Sequence, residues 1–417
     1  MHGRVSPHIR VGFNLMVSSS VITYVTSREM QRDTQVHVLY TTKRKIMSKV
    51  FVTGITGLIG SAFSSMLLGR NDMEIIALAR GTDLLSAKMR VTQIIQDQCS
   101  FDGIADLASS ILKRIRVING EISSVNENEL LRKLKGVEDF FHCAADVNFG
   151  KDPEGRTFRT NYEGTRKMLD LARKLKVRAF HYVSTAYVAG KHRGRAIEDG
   201  LVAEDFNNSY EKSKFMAEQL VRNSGIPFTI YRPSIVVGRL QDGKIRKPLA
   251  FYRVLEFLAK LKKHRCSKMK VSPFEKVSLN LRLKASPSDN IYFVPVDYVQ
   301  KCIVEIFLNK VVDNKTYHIT GNSPVTTDMI ENAIGRALGI NGVTLEAEVI
   351  DPNPLERVVQ KCLSDFLPYF SSKIIFDVEN VRKNLGCPSI EWKMDAENLE
   401  KIIHGFYAEY YPELVRI

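Results

Sequence analysis

The sequence predicts a doubly wound α/β fold, a parallel sheet with helices on both faces, joined to a smaller, mostly helical lobe. Three observations carry this. An apolar run at 50–52 passes straight into glycines at 54, 57 and 60, and an amphipathic run at 58–68 follows at once. Short apolar segments then alternate with helical patterns as far as about residue 240. A segment ending in Ser184-Thr185 is followed, about 25 residues later, by Tyr210 and Lys214, four apart on one helical face.

The 417 residues suffice for one large α/β domain and a second lobe. No uninterrupted apolar run reaches about 18 residues, so no membrane span is expected. The six cysteines are scattered, and His142-Cys143 lacks partners at metal-ligand spacing. Reduced thiols, a cytoplasmic setting and no metal site follow. Residues 1–46 are polar and basic, with an interrupted apolar stretch that makes a weak secretory signal. Met47 stands directly before the first strand, so it is expected to be the true start and 1–46 a dispensable extension.

The first strand, turn and helix read as a phosphate-binding unit. Gly54 permits the turn, Gly57 lets the backbone approach a pyrophosphate, and Gly60 lets the helix lie close on the sheet. Thr56, Leu58 and Ile59 belong to the same turn, where free N–H groups of the helix N-terminus face the phosphates. An ordinary β-turn before a helix is the alternative. Residues 74–80 form a second strand ending in Arg80, where the fold meets the adenosine ribose. An acid there would bind the ribose hydroxyls of NAD, whereas an arginine pairs with the 2′-phosphate of NADP. Arg80 therefore argues for NADPH rather than NADH, with Lys88 and Arg90 as helpers; a solvated arginine is the alternative.

Residues 84–113 read as helical and 116–122 as a third strand, ending in Glu121 and Ile122 near the adenine. A fourth strand at 137–143 leads to Ala144-Ala145, small enough for a flat ring to lie against the backbone. A helix opens at Asn161, and 179–183 is a fifth strand. Tyrosine, with a pKa near 10, is a poor acid at neutral pH. A neighbouring ammonium lowers that pKa, so Lys214 is expected to activate Tyr210 as proton donor to a carbonyl oxygen. Thr185, with Ser184 beside it, is expected to bind the same oxygen, and Lys214 to hold the nicotinamide ribose. A sixth strand at 226–231 runs into Arg232-Pro233-Ser234-Ile235, whose Pro233 and Ile235 join the cofactor set.

The Gly-x-x-Gly-x-x-Gly turn opened by Thr53 resembles the extended short-chain dehydrogenase/reductases, a Rossmann-fold superfamily. The strings His142-Cys143-Ala144-Ala145-Asp146-Val147, Tyr182-Val183-Ser184-Thr185 and Tyr231-Arg232-Pro233-Ser234-Ile235-Val236 sharpen this. They resemble the male-sterility-like branch: fatty acyl-CoA reductases and the thioester reductase domains of carboxylic acid reductases and peptide synthetases. The resemblance covers about 47–240, and more loosely 294–299 and 317–320. It implies an NADPH-dependent reductase of an acyl thioester or related carbonyl, acting in lipid metabolism or on carrier-bound acyl groups. Glu121 departs from the family's usual aspartate, and nothing from Leu240 onward matches a known pattern. A nucleotide-sugar epimerase or dehydratase, or a hydroxysteroid-type alcohol dehydrogenase, would use the same trio. A non-enzymatic NADP-binding sensor would not need Tyr210.

The expected domains are 47–240, completed by about 291–325, with 241–290 and 326–417 as the substrate lobe. Residues 241–290 read as a loop-rich insertion. Within 241–285, thirteen bases face three acids, a net +10, whereas the whole chain carries +14. A phosphate-bearing substrate, an acyl carrier protein or an anionic membrane surface would suit this segment. Nucleic acid is not expected, because no binding motif accompanies the charge. Leu249, Phe251, Tyr252, Leu255, Phe257 and Leu258 interleave with the bases, which suits an acyl chain or a lipid surface. Residues 366–370 are read as core, with an acyl-channel wall as the alternative.

Overall fold

Seven parallel strands form the central sheet of the computed structural model: β1 (Ser48–Thr53), β2 (Met73–Ala79), β3 (Ile115–Asn119), β4 (Asp139–His142), β5 (Ala179–Val183), β6 (Phe228–Pro233) and β7 (Lys315–Ile319). Their order is β7-β6-β5-β4-β1-β2-β3, so the direction of winding reverses between β1 and β4. A doubly wound sheet opens its ligand crevice at that reversal, beyond the carboxyl ends of the strands. The structure describes residues 47–415 except 201–202, 204, 310–313, 322 and 386–391. The extension 1–46 and its expected start site lie outside the described residues.

Helices cover both faces because alternate strand residues are apolar on both sides. Val50 and Val52 join one cluster and Phe51 the other. The first face carries α1 (Leu58–Arg70) and α2 (Leu84–Phe101), with Phe63 stacked on Phe141 at 3.7 Å. The opposite face carries α3 (Gly164–Leu175) and α4 (Ser209–Arg222) through Met168, Leu169, Ala217 and Val221. Inside α1, Ser61, Ser64 and Ser65 are buried and donate to carbonyls of Gly57, Gly60 and Ala62, so none costs an unmet hydrogen bond.

The segment expected to be loop-rich is not. It forms the 19-residue α5 (Phe251–Met269) and the strand Val277–Lys284. Phe251, Tyr252, Leu255 and Leu258 are buried in the protein core rather than offered to a membrane. Their spacing is an amphipathic helix stripe, and its bases take the other face. One base, Lys262, is fully buried and donates to Leu338 O. Lys263 pairs with Glu413 at 2.8 Å, and Arg282 with Glu356 at 2.9 Å. Much of the net charge is therefore already engaged. The tail is mostly helical, as expected, at Thr327–Leu338, Pro354–Leu363, Glu379–Leu385 and Ala396–Tyr410. It also holds two unforeseen strands. Ile340–Glu346 pairs with Val277–Lys284, and Lys373–Phe376 pairs with Arg193–Ala196. No helix among the described residues is long and apolar enough to cross a membrane.

A buried carboxylate locks α4 to the sheet. Glu218 accepts from Ser184 Oγ at 2.9 Å, from Arg232 Nε at 3.1 Å and from Arg222 Nη2 at 2.9 Å. Arg232 also donates to Gly200 O at 2.9 Å, and Arg222 to Thr316 Oγ1 at 2.6 Å. One side chain of α4 thus fixes the ends of β5, β6 and β7. Burial alone would raise the Glu218 pKa, but the two guanidinium groups more than offset it and hold the carboxyl below its usual range. Breaking a buried pair leaves an uncompensated charge, at a cost of about 3–5 kcal/mol. Glu218→Gln, which keeps the shape but loses the charge, should lower unfolding free energy in urea by about that amount. A loss below about 1 kcal/mol, the value of an exposed pair, would show that the network does not hold the helix.

Candidate active site

The glycine turn is shaped by close approach. Gly54 has φ +78°, and a Cβ there would meet Ala144 N at 2.6 Å. A Cβ on Gly60 would lie 2.1 Å from Gly54 O, so this glycine seats the helix on the turn. Gly57 caps α1 with no side-chain hydrogen bond, which leaves the first N–H groups of the helix open. His142 braces the turn from behind, 2.7 Å from Thr53 Oγ1 and 3.0 Å from Thr165 Oγ1. Thr165 gives its own proton to Asn161 O, so His142 donates through Nε2 and accepts at Nδ1. Burial first, and then the charge of Lys214, lower its pKa to about 3, so the ring is neutral.

Two cavities open above the strand ends. The first, about 170 Å³, is lined by Gly54, Thr56, Gly57, Arg80, Glu121, Ile122, Ala144 and Ala145. The second, about 230 Å³ and mainly apolar, is lined by Leu58, Ile59, Ser184, Thr185, Tyr210, Lys214, Pro233 and Ile235. Gly57, Cys143, Ala145 and Lys247 line both, which makes the two a single trough. The expected catalytic and cofactor residues border it except Gly60, which lies beneath the turn; of the two expected helpers, Arg90 lines it and Lys88 does not. Arg80 is 3.4 Å from Glu121, so two residues expected to meet the adenosine also meet each other.

The hydroxyls of β5 divide their work. Ser184 is turned to Glu218 and is a structural group. Thr185 Oγ1 donates to Pro233 O at 3.4 Å and accepts from Tyr187 N at 3.3 Å, and it lines the same cavity as Tyr210. Lys214 donates to Val183 O at 2.7 Å, and its ammonium lies 4.1 Å from the Tyr182 ring centroid. Asn161 ties the loop after β4 to this helix by accepting from Asp146 N and donating to Ser213 Oγ, at 2.8 and 2.9 Å. The expected lowering of the Tyr210 pKa is not found. Burial pushes the phenol well above its usual value, because the ammonium is held by a carbonyl and does not offset desolvation. Lys214 itself is lowered to about 7, again by burial. Burial also pushes the Cys143 thiol up to about 12, so it is no nucleophile at neutral pH.

Several trough residues were not foreseen. Ser234 Oγ is buried without a hydrogen-bond partner and borders the larger cavity. Such an atom costs about 1–3 kcal/mol, which a bound polar group can recover. The open helix N-terminus, the glycine cradle, Arg80 and this orphaned hydroxyl fit a nicotinamide dinucleotide. Phe366, Tyr369 and Phe370, read as core, form a wall of the larger cavity. Tyr369 also accepts from Asn208 Nδ2 at 2.9 Å, just before α4. Alternation alone could not tell a cavity wall from core, since both are apolar.

Comparison with known proteins gives the same frame. The family described as "Male sterility protein" matches residues 52–303. A nonribosomal peptide synthetase of Aspergillus flavus, asaC, is 26% identical over 299 residues, covering 68% of this chain and 27% of that protein. The chain thus spans about a quarter of the length of this relative. The terminal R domain of a myxalamid PKS-NRPS pathway superposes with TM-score 0.69 at 22% identity, covering 89% of this chain and 93% of that one. A thiolation-reductase di-domain from an archaeal non-ribosomal peptide synthetase superposes with TM-score 0.61 at 20% identity, covering 88% and 91%. Both structural likenesses are of fold.

The two β5 hydroxyls generate a test. Thr185→Val should cut turnover about a hundred- to a thousand-fold, the range for losing one donor to a developing oxyanion, with little change in melting temperature. Ser184→Ala should act chiefly on melting temperature. Equal losses of turnover would show that the two hydroxyls are not divided in this way.

Proposed function

The chain belongs to the male sterility protein family and is an NAD(P)-dependent oxidoreductase of the extended short-chain dehydrogenase/reductase type, and we propose that it uses NADPH to reduce an acyl thioester. The observation that carries this reading is that Thr185, Tyr210 and Lys214 line one apolar cavity, which is continuous with a cleft formed by the glycine turn. The reduced dinucleotide, when bound, supplies the hydride. Its phosphates fit the α1 N-terminus, its ribose Lys214, its 2′-phosphate Arg80, and its carboxamide the free hydroxyl of Ser234. Thr185 and Tyr210 then take the thioester oxygen. As the carbonyl carbon gains hydride, Tyr210 gives its proton to the oxygen, and the tetrahedral adduct expels the thiol to leave an aldehyde.

The walls favour an acyl group over a sugar nucleotide. Leu249, Phe251, Val254, Phe366 and Phe370 offer a sugar few hydrogen bonds. Val254 and Phe370 also border a further apolar cavity of about 70 Å³, which extends the path for a chain. Residues 241–290 and 326–417 then serve as the substrate lobe over the domain 47–240. The open end of the trough would admit a thioester on coenzyme A or on an acyl carrier protein, with the bases of 241–285 still exposed as the approach surface. The test is a panel of acyl-CoAs, carrier-bound acyl groups, aldehydes and sugar nucleotides, mixed with protein and NADPH. Thioesters should consume NADPH with release of free thiol; consumption only with sugar nucleotides would overturn the reading. Tyr210→Phe should abolish that turnover and leave NADPH affinity nearly intact, whereas Lys214→Met should damage both. Retained activity in Tyr210→Phe would place the proton elsewhere. Arg80→Glu should weaken NADPH far more than NADH, by about ten- to hundred-fold for one charge-assisted phosphate contact. Equal losses for the two cofactors would remove Arg80 from the 2′-phosphate.

A further inference from the structure

Of the early bases of the +10 segment, Arg246 is half-buried, and Lys247 borders the trough although it remains exposed. Arg246 turns back onto the glycine turn, where its Nε donates to Gln98 Oε1 at 2.8 Å and its Nη2 to Ser61 Oγ at 2.6 Å. Nη2 also lies 3.4 Å from Gly57 O. The next residue, Lys247, borders both halves of the trough, beside Gly57. Arg80 and Arg90 line the same cleft, and Arg90 donates to Arg80 O at 3.3 Å. Among the described residues no carboxylate lies within 4.0 Å of Arg90, Arg246 or Lys247, and Arg80 has only Glu121. Arg80, Arg90, Arg156 and Lys247 thus line one cleft with two carboxylates, Glu121, which pairs with Arg80, and Asp146, which pairs with Arg156. Burial, and then Arg246, Arg90 and Arg80, hold the Lys247 pKa below its usual value. Like charges gathered in a partly desolvated cleft are unfavourable unless an anion binds among them.

We propose that Lys247 is a ligand of the dinucleotide's pyrophosphate, reaching it from outside the nucleotide-binding strands, with Arg246 as a positioning residue that pins its loop to the glycine turn. Arg80 and Arg90 line only the cleft that Glu121 and Ile122 border, whereas Lys247, like Gly57, lines both cavities. The cofactor then ties the segment after β6 to the turn after β1. A bound dinucleotide would steady the wall formed by Leu249, Ala250 and Phe251, a few residues on from this lysine. The inference rests on dinucleotide binding alone and not on the acyl substrate.

The test is binding of NADPH and NADH to the full chain without substrate, by titration calorimetry. Lys247→Gln should weaken both by a similar factor, about ten- to hundred-fold for one charge-assisted contact. Lys247→Arg should restore most of the affinity, and Lys260→Gln, on the exposed face of α5, should change neither. An unchanged affinity for both dinucleotides would overturn the proposal. So would a loss confined to NADPH, which would move Lys247 to the 2′-phosphate, or a loss seen only in KM for a coenzyme A thioester. Thermal melts of the variants separate a lost contact from a lost fold: a Lys247→Gln protein that melts like the parent and binds both dinucleotides as tightly refutes the assignment.

Discussion

The site depends on the burial of Glu218. A carboxylate with no exposure, in the middle of the helix that carries Tyr210 and Lys214, would be untenable alone. Arg232 and Arg222 make it tolerable, and the three charges bind α4 to β5, β6 and β7 together. That fixes the rotation of the helix. Tyr210, two turns nearer its start, then faces the cavity that Thr185 also lines, and Lys214 reaches the last carbonyl of β5. Ser184 is consumed in this bracing, so two adjacent hydroxyls come to have separate work.

Burial also sets the protonation of the site. It lifts Tyr210 and Cys143 and lowers Lys214 and His142. Each shift opposes charge, as a dry cavity requires. The consequence is a phenol that holds its proton, a thiol that stays inert and a histidine that serves only as a hydrogen-bond bridge. Charge is concentrated instead at the other half of the trough, where Arg80, Arg90 and Lys247 gather. The division matches a ligand with a polyanionic end and an apolar end.

Much of this was legible in the chain. Six of the seven central strands follow from apolar runs and their punctuation, and β5 coincides with its expected bounds. The glycine spacing and the Tyr210/Lys214 interval depend on local geometry, which sequence encodes directly. What could not be read was long-range. Glu218 looks like any polar residue of a helix until Arg232, on a strand, is brought to it. The bases of 241–285 summed to a charge, but sequence does not say which are buried. Lys262 is buried, Arg246 turns onto the glycine turn, and Lys247 stays exposed while bordering the trough. The expected effect of Lys214 on Tyr210 failed for the same reason: desolvation depends on neighbours from several elements, not on a spacing of four.

The central claim is that this trough moves a hydride to a thioester carbonyl while Tyr210 supplies the proton. NADPH carrying deuterium at the transferred position, incubated with protein and an acyl thioester, tests it most directly when the product is analysed by mass spectrometry. The account predicts one deuterium on the former carbonyl carbon for each two-electron reduction, with one free thiol released. Oxidation of the dinucleotide without deuterium on that carbon, or deuterium on another carbon with the thioester intact, would contradict it.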